Sequence, residues 1–309
     1  MLDPQAAKAA ELLAAHNAQG GAQPSPERLR ELYLSRRGFI DAPPEALSLV
    51  REHRPDGATF MLREYRPMRA ASEAVLPALL YLHGGGWMVG NIDSHDGVCR
   101  ALCNAAGCAV FSVDYRLAPE HRFPAAYDDA LSAYAWLQGH AAELHIAPER
   151  MAIGGDSAGG SLAAAASLGL RESAHAPAFQ LLIYPSTQMR TDTPSYQSNG
   201  TGRGLTRAGM AAYIQAYLGP DGPLDDWRAA PLMAPSLAGA PPALVLTAGF
   251  DPLRDDGRLY ADALSRAGVP TQYLCFERQI HGFLLLRSLV DEAHTALDAC
   301  ASALRRALA

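Results

Sequence analysis

The sequence lacks the features that would direct it to a nucleic acid, a membrane surface or a secretory route. It has no lysine- or arginine-rich run, and 32 acidic residues outnumber 26 basic ones, for a formal net charge of −6. Nucleic acids and anionic membranes are therefore not expected as partners. The first eighteen residues carry Asp3, Lys8 and Glu11 where a signal peptide would have an uninterrupted apolar stretch. We therefore expect no signal peptide and predict a cytoplasmic protein.

Cysteine is scarce, and long apolar runs are missing. The five cysteines are an odd number, and Cys99, Cys103 and Cys108 lack the C-x-x-C spacing of a zinc site, with no paired histidines nearby. The weakly apolar stretch 151–170 contains Asp156 and many small residues, so it is too polar and too short for a membrane span. We predict reduced, mostly buried thiols, no metal site and no membrane anchor.

What the chain does contain is a regular alternation of strand-like and helix-like segments. Its 309 residues, 49% of them hydrophobic, suit one large domain with insertions. Short apolar runs separated by helical segments predict a parallel sheet buried between two layers of helices. The predicted strands are 47–53, 59–66, 78–82, 109–113, 151–153, 179–184, 243–247 and 271–276, and the predicted helices are 94–106, 124–140, 157–171, 254–267 and 290–308.

Two segments do not fit this alternation, and we expect them to form a cap. Residues 1–45 read as two helices, and Ser25 before Pro26 is a typical helix start. Residues 187–240 are rich in glycine, proline, serine and threonine. They contain one predicted helix, which begins at Thr206 and carries an apolar stripe of Met210, Tyr213, Ile214, Tyr217 and Leu218. The alternative is a surface helix packed on the core. The α/β-hydrolase core itself is predicted to consist of residues 46–186 and 241–309.

The clearest chemical signal is the sequence GGDSAGG at residues 154–160, between a predicted strand and a predicted helix. A serine that attacks esters must project from a sharp turn, and glycines two residues before and after it allow strand and helix to approach closely. The alternatives are a structural turn and a phosphate-binding loop, but no lysine follows as it does in a P-loop. Ser157 is therefore the candidate nucleophile.

A second glycine-rich turn, HGGGW at residues 83–87, follows the predicted strand 78–82. Acyl transfer builds negative charge on the carbonyl oxygen of the substrate, and N–H donors must point to the place where it develops. Three consecutive glycines let the backbone turn its amides into a pocket. The alternative is an ordinary tight loop. The residue after the nucleophile, Ala158, supplies a further donor.

The base should be a histidine, because histidine is the side chain that titrates near neutrality. In α/β sheets with a nucleophile elbow, the triad follows the order serine, acid, histidine. Three histidines follow Ser157, namely His175, His281 and His294. Only His281 lies just past the last predicted strand, and it is the candidate base.

The acid that orients this histidine should also follow a strand. Asp251 comes shortly after the apolar run 243–247, at the carboxyl end of a strand where open α/β sheets place their sites. Asp255 and Asp256 are the rivals, but they fall in the first turn of the next helix, where the helix dipole favours acids. We therefore predict Asp251.

Taken together, these motifs resemble the hormone-sensitive-lipase-like family of bacterial esterases, also called family IV, in its GDSAGG branch of the α/β-hydrolase superfamily. The matching residues are 83–87, 114–120, 155–160, 251–253 and 281–283, in the order of that family. The resemblance implies an α/β-hydrolase fold with an eight-stranded, mostly parallel sheet, an antiparallel second strand and a helical cap. It implies a carboxylesterase that cleaves short-acyl monoesters through an acyl-enzyme intermediate, without cofactor or metal.

The resemblance also implies roles for particular residues. Gly85, Gly86 and Ala158 would form the oxyanion hole, His83 and Gly84 would support its loop, and residues 114–120 would buttress it. Homodimers would form along the last strand. The substrate pocket is predicted to include Trp87, Asp156, Met210, Tyr213, Ile214 and Phe283. A non-catalytic receptor on the same fold is disfavoured by His281, whereas an amidase or deacetylase using the same triad stays open.

Overall fold

The computed structural model describes residues 1–21, 24–71 and 73–309, and its centre is an eight-stranded sheet. The strands are β1 Leu49–His53, β2 Met61–Arg66, β3 Leu76–Leu82, β4 Ala109–Asp114, β5 Ile146–Asp156, β6 Phe179–Ile183, β7 Ala243–Phe250 and β8 Thr271–Ile280. Their spatial order is β1-β2-β4-β3-β5-β6-β7-β8. Only β2 runs against its neighbours, so the sheet is mostly parallel, with an antiparallel second strand as expected.

Helices cover both faces of the sheet. They are α1 Pro4–Asn17, α2 Pro26–Ser35, α3 Arg37–Ile40, α4 Asp96–Ala106, α5 Ala125–Gly139, α6 Ala158–Leu170, α7 Pro194–Asn199, α8 Arg207–Leu218, α9 Arg254–Arg266 and α10 Glu292–Ala307. Helices α5, α6 and α9 pack on one side of the sheet, and α1, α4 and α10 pack on the other. Helix α8 of the insertion adds its apolar residues to the first of these two layers. This is the predicted α/β-hydrolase architecture, with its core in two apolar layers.

The central strands show why apolar runs without alternation predict this fold. Successive side chains of a strand point to opposite faces, so a strand covered on both faces needs apolar residues throughout. In β3, Leu80 and Leu82 enter one apolar layer, whereas Leu79 and Tyr81 enter the other. All four are fully buried.

Differences from the predicted elements arise where polar residues interrupt an apolar pattern. Strand β5 begins at Ile146 and not at residue 151 as predicted, because Pro148, Glu149 and Arg150 interrupt the apolar pattern of its first half. Strand β8 continues to Ile280, past its exposed polar residues. Helix α7 was not predicted, because six residues are too few to show a helical period.

The first of the N-terminal helices, which were predicted to be part of the cap, also packs on the sheet. Helix α1 buries Ala6, Ala9 and Leu13 in the same apolar layer as Ile280 of β8, so it rests partly on the sheet. The Asp3 N–H donates to the carbonyl of Arg278 in that strand at 3.0 Å. Helix α1 is therefore both a part of the core and a wall of the site described below. The four proposed segment boundaries and the dimer along β8 stay predictions.

The predicted state of the cysteines agrees with the structure. All five cysteines are free thiols, and four of them are buried, with Cys275 partly exposed. Within the described ranges, no helix is long and apolar enough to cross a bilayer. The same residues contain no group of three or more histidine, cysteine, aspartate or glutamate side chains arranged to hold a metal ion.

Candidate active site

Three side chains from three strand ends form a continuous hydrogen-bonded chain. Ser157 follows β5, Asp251 follows β7 and His281 follows β8, and the carboxyl ends of parallel strands meet at one edge of a sheet. His281 Nε2 lies 2.9 Å from Ser157 Oγ. His281 Nδ1 lies 2.7 Å from Asp251 Oδ2. The structure thus brings the predicted nucleophile, base and acid together at hydrogen-bonding distance.

Ser157 sits in a backbone conformation that side chains rarely adopt. Its φ is 55° and its ψ is −119°, at the point where β5 turns directly into α6. A Cβ atom on Gly155 or Gly159 would overlap the carbonyl of Leu82, so strand and helix can approach this closely only with glycine there. The Ser157 N–H donates to the Ile183 carbonyl at 2.8 Å and holds the turn. The result is a hydroxyl projected toward His281.

Asp251 is completely buried and held from both sides. Its Oδ1 accepts the N–H of Leu253 at 2.8 Å, which leaves Oδ2 aimed at His281. Asn199 of the inserted helix α7 donates to the carbonyls of Gly249 and Asp251, at 3.2 and 3.3 Å. The acid loop is therefore fixed both by its own backbone and by the insertion.

The two rival acids face other partners. Asp255 Oδ2 accepts the N–H of Ser195 at 2.9 Å, and its Oδ1 accepts from Arg254 at 3.2 Å. Asp256 Oδ1 accepts from Gln188 at 3.1 Å, and burial raises the pKa of the Asp256 carboxyl well above its usual range. Neither carboxylate makes a hydrogen bond to His281 within the described chain.

The glycine turn after β3 presents free backbone donors. Gly85, Gly86 and Trp87 have φ values of 127°, 59° and 57°, and the Gly85 carbonyl accepts the N–H groups of Met88 and Val89. Among the described residues, the N–H groups of Gly85 and Gly86 have no acceptor. Ala158 is the first residue of α6, where helix geometry leaves the N–H without an intrahelical partner and the helix dipole favours negative charge.

His83 supports this turn from inside the protein. Its ring is buried and stacked on Tyr115, with 4.2 Å between the centroids, and Nδ1 lies 2.9 Å from the Gly84 carbonyl oxygen. Burial and the neighbouring His95 lower the pKa of His83 to about 3, so the ring is neutral. Tyr115 donates to the His83 carbonyl at 2.7 Å, which shows how residues 114–120 brace the loop.

Asp156 joins the glycine turn to the nucleophile turn. Its Oδ1 accepts the Gly84 N–H at 2.9 Å and the Tyr81 hydroxyl at 2.8 Å, and lies 3.2 Å from His95 Nε2. Burial would raise the pKa of Asp156, but His95 and the hydrogen bonds from Tyr81 and Gly84 outweigh it and lower the pKa. Tyr81 and His95 could not be predicted as its partners, since no spacing pattern in the sequence links them to residue 156.

A cavity of about 250 Å³ lies above Ser157 and is walled mostly by apolar side chains. The walls come from the N-terminal helices, from the insertion and from the segment after His281. They include Leu13, Leu29, Leu32 and Tyr33, then Leu205, Met210 and Tyr213, then Leu285 and Leu286. The Tyr213 ring lies directly over Gly86, where a Cβ atom would overlap it.

Of the six predicted pocket residues, Asp156, Met210 and Tyr213 line this cavity and three do not. Trp87 turns away and stacks on Tyr217, with 4.6 Å between the centroids and 7° between the planes. Ile214 lies about 100° round the helix from Tyr213 and lines a separate surface depression. Phe283 is fully buried against Phe276, 5.2 Å away. Their assignment to the pocket is corrected accordingly.

Comparison with known proteins agrees with this geometry. Residues 79–285 match the family described as alpha/beta hydrolase fold. The carboxylic ester hydrolase LipN of Mycobacterium tuberculosis is 42% identical over 251 residues, which cover 79% of this chain and 66% of LipN. The ethyl acetate hydrolase of Pseudomonas putida is 40% identical over 267 residues, covering 86% and 84%. The crystal structure of EstE1, a thermostable carboxylesterase cloned from a metagenomic library, superposes with a TM-score of 0.87 at 39% identity, covering 92% and 98%.

Proposed function

The chain belongs to the α/β-hydrolase family, among its hormone-sensitive-lipase-like carboxylesterases, and on this premise we propose that it hydrolyses short-acyl monoesters through an acyl-enzyme intermediate. The observation that supports this best is the unbroken chain from Ser157 Oγ through His281 to Asp251, at 2.9 and 2.7 Å. The triad faces an apolar cavity, and the backbone N–H groups of Gly85 and Gly86 in the cavity wall have no acceptor in the described part of the chain.

In the first step, Ser157 Oγ attacks the ester carbonyl while His281 Nε2 takes the hydroxyl proton. Asp251 accepts the N–H of His281 Nδ1, holds the ring in the correct tautomer and stabilises the imidazolium. The carbonyl oxygen becomes an oxyanion, and the N–H groups of Gly85, Gly86 and Ala158 are positioned to bind it. These donors need no rearrangement, because the turns that carry them are already formed.

Collapse of the tetrahedral intermediate releases the alcohol, to which His281 returns the proton. A water molecule then enters, His281 removes its proton, and the resulting hydroxide attacks the acyl-enzyme carbonyl. A second collapse releases the carboxylic acid and restores Ser157. The same residue thus acts first as a base and then as an acid in each half of the reaction.

The size of the cavity supports a preference for short acyl chains. Each buried methylene gains about 0.8 kcal/mol only until the chain meets a wall. Beyond that point, forcing extra atoms into a packed site costs about 1–3 kcal/mol. The cap helices supply such walls close to Ser157, with Leu13, Leu32 and Met210 among them.

A chain-length series with two serine variants tests the proposal. We expect p-nitrophenyl butyrate to be cleaved far faster than the palmitate ester, without activation at an oil–water interface. Ser157→Ala should lower turnover by about 10³-fold or more, because members of a triad act as a unit. Ser161→Ala is the matched control: Ser161 lies one turn further along α6, buried and bonded to the Ala229 carbonyl at 3.2 Å.

The control variant should keep most of the wild-type rate. Two results would contradict the proposal: substantial turnover by Ser157→Ala, or a preference for palmitoyl over butyryl esters. The second result would identify the cap as an interface-activated lid.

A further inference from the structure

Arg36, at the junction of α2 and α3, lines the cavity above Ser157, and the proposed ester chemistry does not use it. Apart from His281, it is the one basic side chain among the described residues of the cavity wall. Asp156 is the acidic one, but its carboxylate is turned into the glycine loop and paired with His95. The charge of Arg36 is therefore the one that faces a substrate without a counter-charge.

Among the arginines of residues 28–37, Arg36 is unusual in having no carboxylate partner within the described chain. Three other arginines between residues 28 and 37 have a carboxylate partner. These ion pairs are Arg28–Glu31 at 2.9 Å, Arg30–Glu120 at 2.6 Å and Arg37–Asp41 at 2.8 Å. Throughout the described chain, no carboxylate lies within 4.0 Å of the Arg36 guanidinium, and the residues outside it are alanine, glutamine and serine, which carry no charge.

Arg36 is nevertheless held in place rather than free. Its guanidinium carbon lies 3.3 Å from the centroid of the Tyr33 ring, a cation–π contact. Stacking engages the face of the guanidinium and leaves its in-plane N–H donors available for hydrogen bonds. A fork of this kind matches a carboxylate with two parallel hydrogen bonds.

Arg36 shares its cavity with the reacting groups. Tyr213, Gly86 and Ser157 line the same cavity as Arg36, and the Tyr213 ring covers Gly86. Burial raises the pKa of the Tyr213 hydroxyl, and the positive charge of Arg36 opposes that rise. The rest of the cavity wall is largely leucine. Two opposite charges beside such an apolar surface are screened less than they are in water.

We propose that Arg36 binds a carboxylate on the substrate, so that the preferred esters carry one carboxylate in addition to the ester bond that is cleaved. This inference rests on the proposed function, since it concerns the same cavity and the same nucleophile. The inference adds a substrate class to the proposed function. This class comprises half-esters of dicarboxylic acids, or butyryl-type esters of alcohols that carry a carboxylate.

Two matched pairs of esters test the inference with the whole protein. The acyl-side pair is ethyl hydrogen glutarate and its neutral isostere, in which an isopropyl group replaces the carboxylate. The alcohol-side pair is meta-carboxyphenyl butyrate and meta-isopropylphenyl butyrate. We expect the anionic member of at least one pair to have the higher kcat/KM, by ~10-fold and mainly through KM, as for one charge-assisted hydrogen-bonded contact.

The arginine variants separate binding from packing. In Arg36→Gln the ratio of kcat/KM between anionic and neutral esters should fall to about one, and Arg36→Lys should restore part of it, since lysine keeps the charge without the fork. Arg28→Gln is the control: it removes a paired cation from helix α2, which ends just before Arg36, and the ratio should stay at the wild-type value. Circular dichroism of each variant reports on folding.

The outcomes separate the two proposals. Equal kcat/KM for both members of both pairs in the wild type, or a preference that persists in Arg36→Gln, would overturn the role of Arg36 and leave the esterase mechanism intact. If neither neutral nor anionic esters were cleaved, or if Ser157→Ala cleaved them, the proposed function itself would fall, and the role of Arg36 with it.

Discussion

At the scale of single residues, the nucleophile is defined by its backbone as much as by its hydroxyl. A non-glycine residue with a φ of 55° and a ψ of −119° costs on the order of 1–3 kcal/mol. That cost is offset by neighbours that keep the turn in place. The Ser157 carbonyl accepts the N–H of Ser161, and the Ser157 N–H is bonded to Ile183. The strained turn points Oγ out of the sheet edge and toward His281.

Also at the residue scale, the geometry predicts how replacing the triad acid Asp251 changes kcat. Asp251→Asn should lower kcat by about 10³–10⁴-fold, because an amide favours the wrong tautomer of His281 while the fold is kept. Asp255→Asn is the matched control, since Asp255 is also buried but is bonded to Ser195 and Arg254. Steady-state kinetics on p-nitrophenyl butyrate is the measurement. A crippled Asp255→Asn beside an active Asp251→Asn would show that the acid has been wrongly assigned.

The triad residues were foreseeable because each obeys a local rule. Ser157, Asp251 and His281 each come directly after a strand, and parallel strand ends meet at one edge of a sheet. Tyr81 and His95 obey no such rule. They reach Asp156 across distances of 75 and 61 residues in sequence, so only the folded backbone reveals that they hold the glycine turn.

At the scale of elements, strands β1 and β2 are joined by a buried charge. Glu64 of β2 is fully buried and accepts hydrogen bonds from Arg51 at 2.8 Å and Arg66 at 2.8 Å, with His53 Nε2 at 2.7 Å. Burial alone would raise the pKa of Glu64, but the hydrogen bonds of His53, Arg66 and Arg51 outweigh it and lower the pKa to about 2.

This lowered pKa predicts how stability depends on pH. The ordinary glutamate pKa is 4.5, so the contribution of Glu64 is fully present above that pH and is lost as the pH falls toward 2. It amounts to about 3 kcal/mol. In Glu64→Gln, the urea midpoint at neutral pH should fall, and its decline between these two pH values should be shallower than in the wild type.

Glu11→Gln provides the control, because Glu11 pairs with Lys8 on an exposed helix surface, where ion pairs contribute little. Its urea midpoints should follow the wild-type curve at every pH. If the urea midpoints of Glu64→Gln and of the wild type declined equally as the pH falls from 4.5 to about 2, Glu64 would not be the group that causes this loss of stability.

The sequence predicts that the insertion forms a helical cap, but it does not predict where all of the cap helices lie. Thr206 caps α8 through a 3.0 Å bond to the Gly209 N–H, as its sequence position suggests. Nothing in the sequence placed the short helix α7, although Asn199 at its end ties the insertion to the acid loop at Gly249 and Asp251. Such contacts depend on the meeting of segments fifty residues apart, which local patterns do not encode.

At the scale of the whole molecule, the cavity exists because three remote segments converge on one strand edge. Side chains of the N-terminal helices, the insertion and the loop after β8 form its walls, with Leu32, Met210 and Leu285 as one example from each. A sequence pattern tells which face of α8 is apolar. It does not tell which apolar residues face the cavity and which face the core, and for that reason the sequence wrongly predicted Trp87, Ile214 and Phe283 in the pocket.

The central claim is that Ser157 is the nucleophile of an esterase, and covalent labelling tests it most directly. A fluorophosphonate should react with the wild-type protein once per chain and abolish ester turnover in step with labelling. Fragment-ion mass spectrometry should then place the adduct on Ser157 and not on Ser161, four residues further along. Loss of activity with the adduct on another serine, or retained turnover in fully labelled protein, would contradict the account.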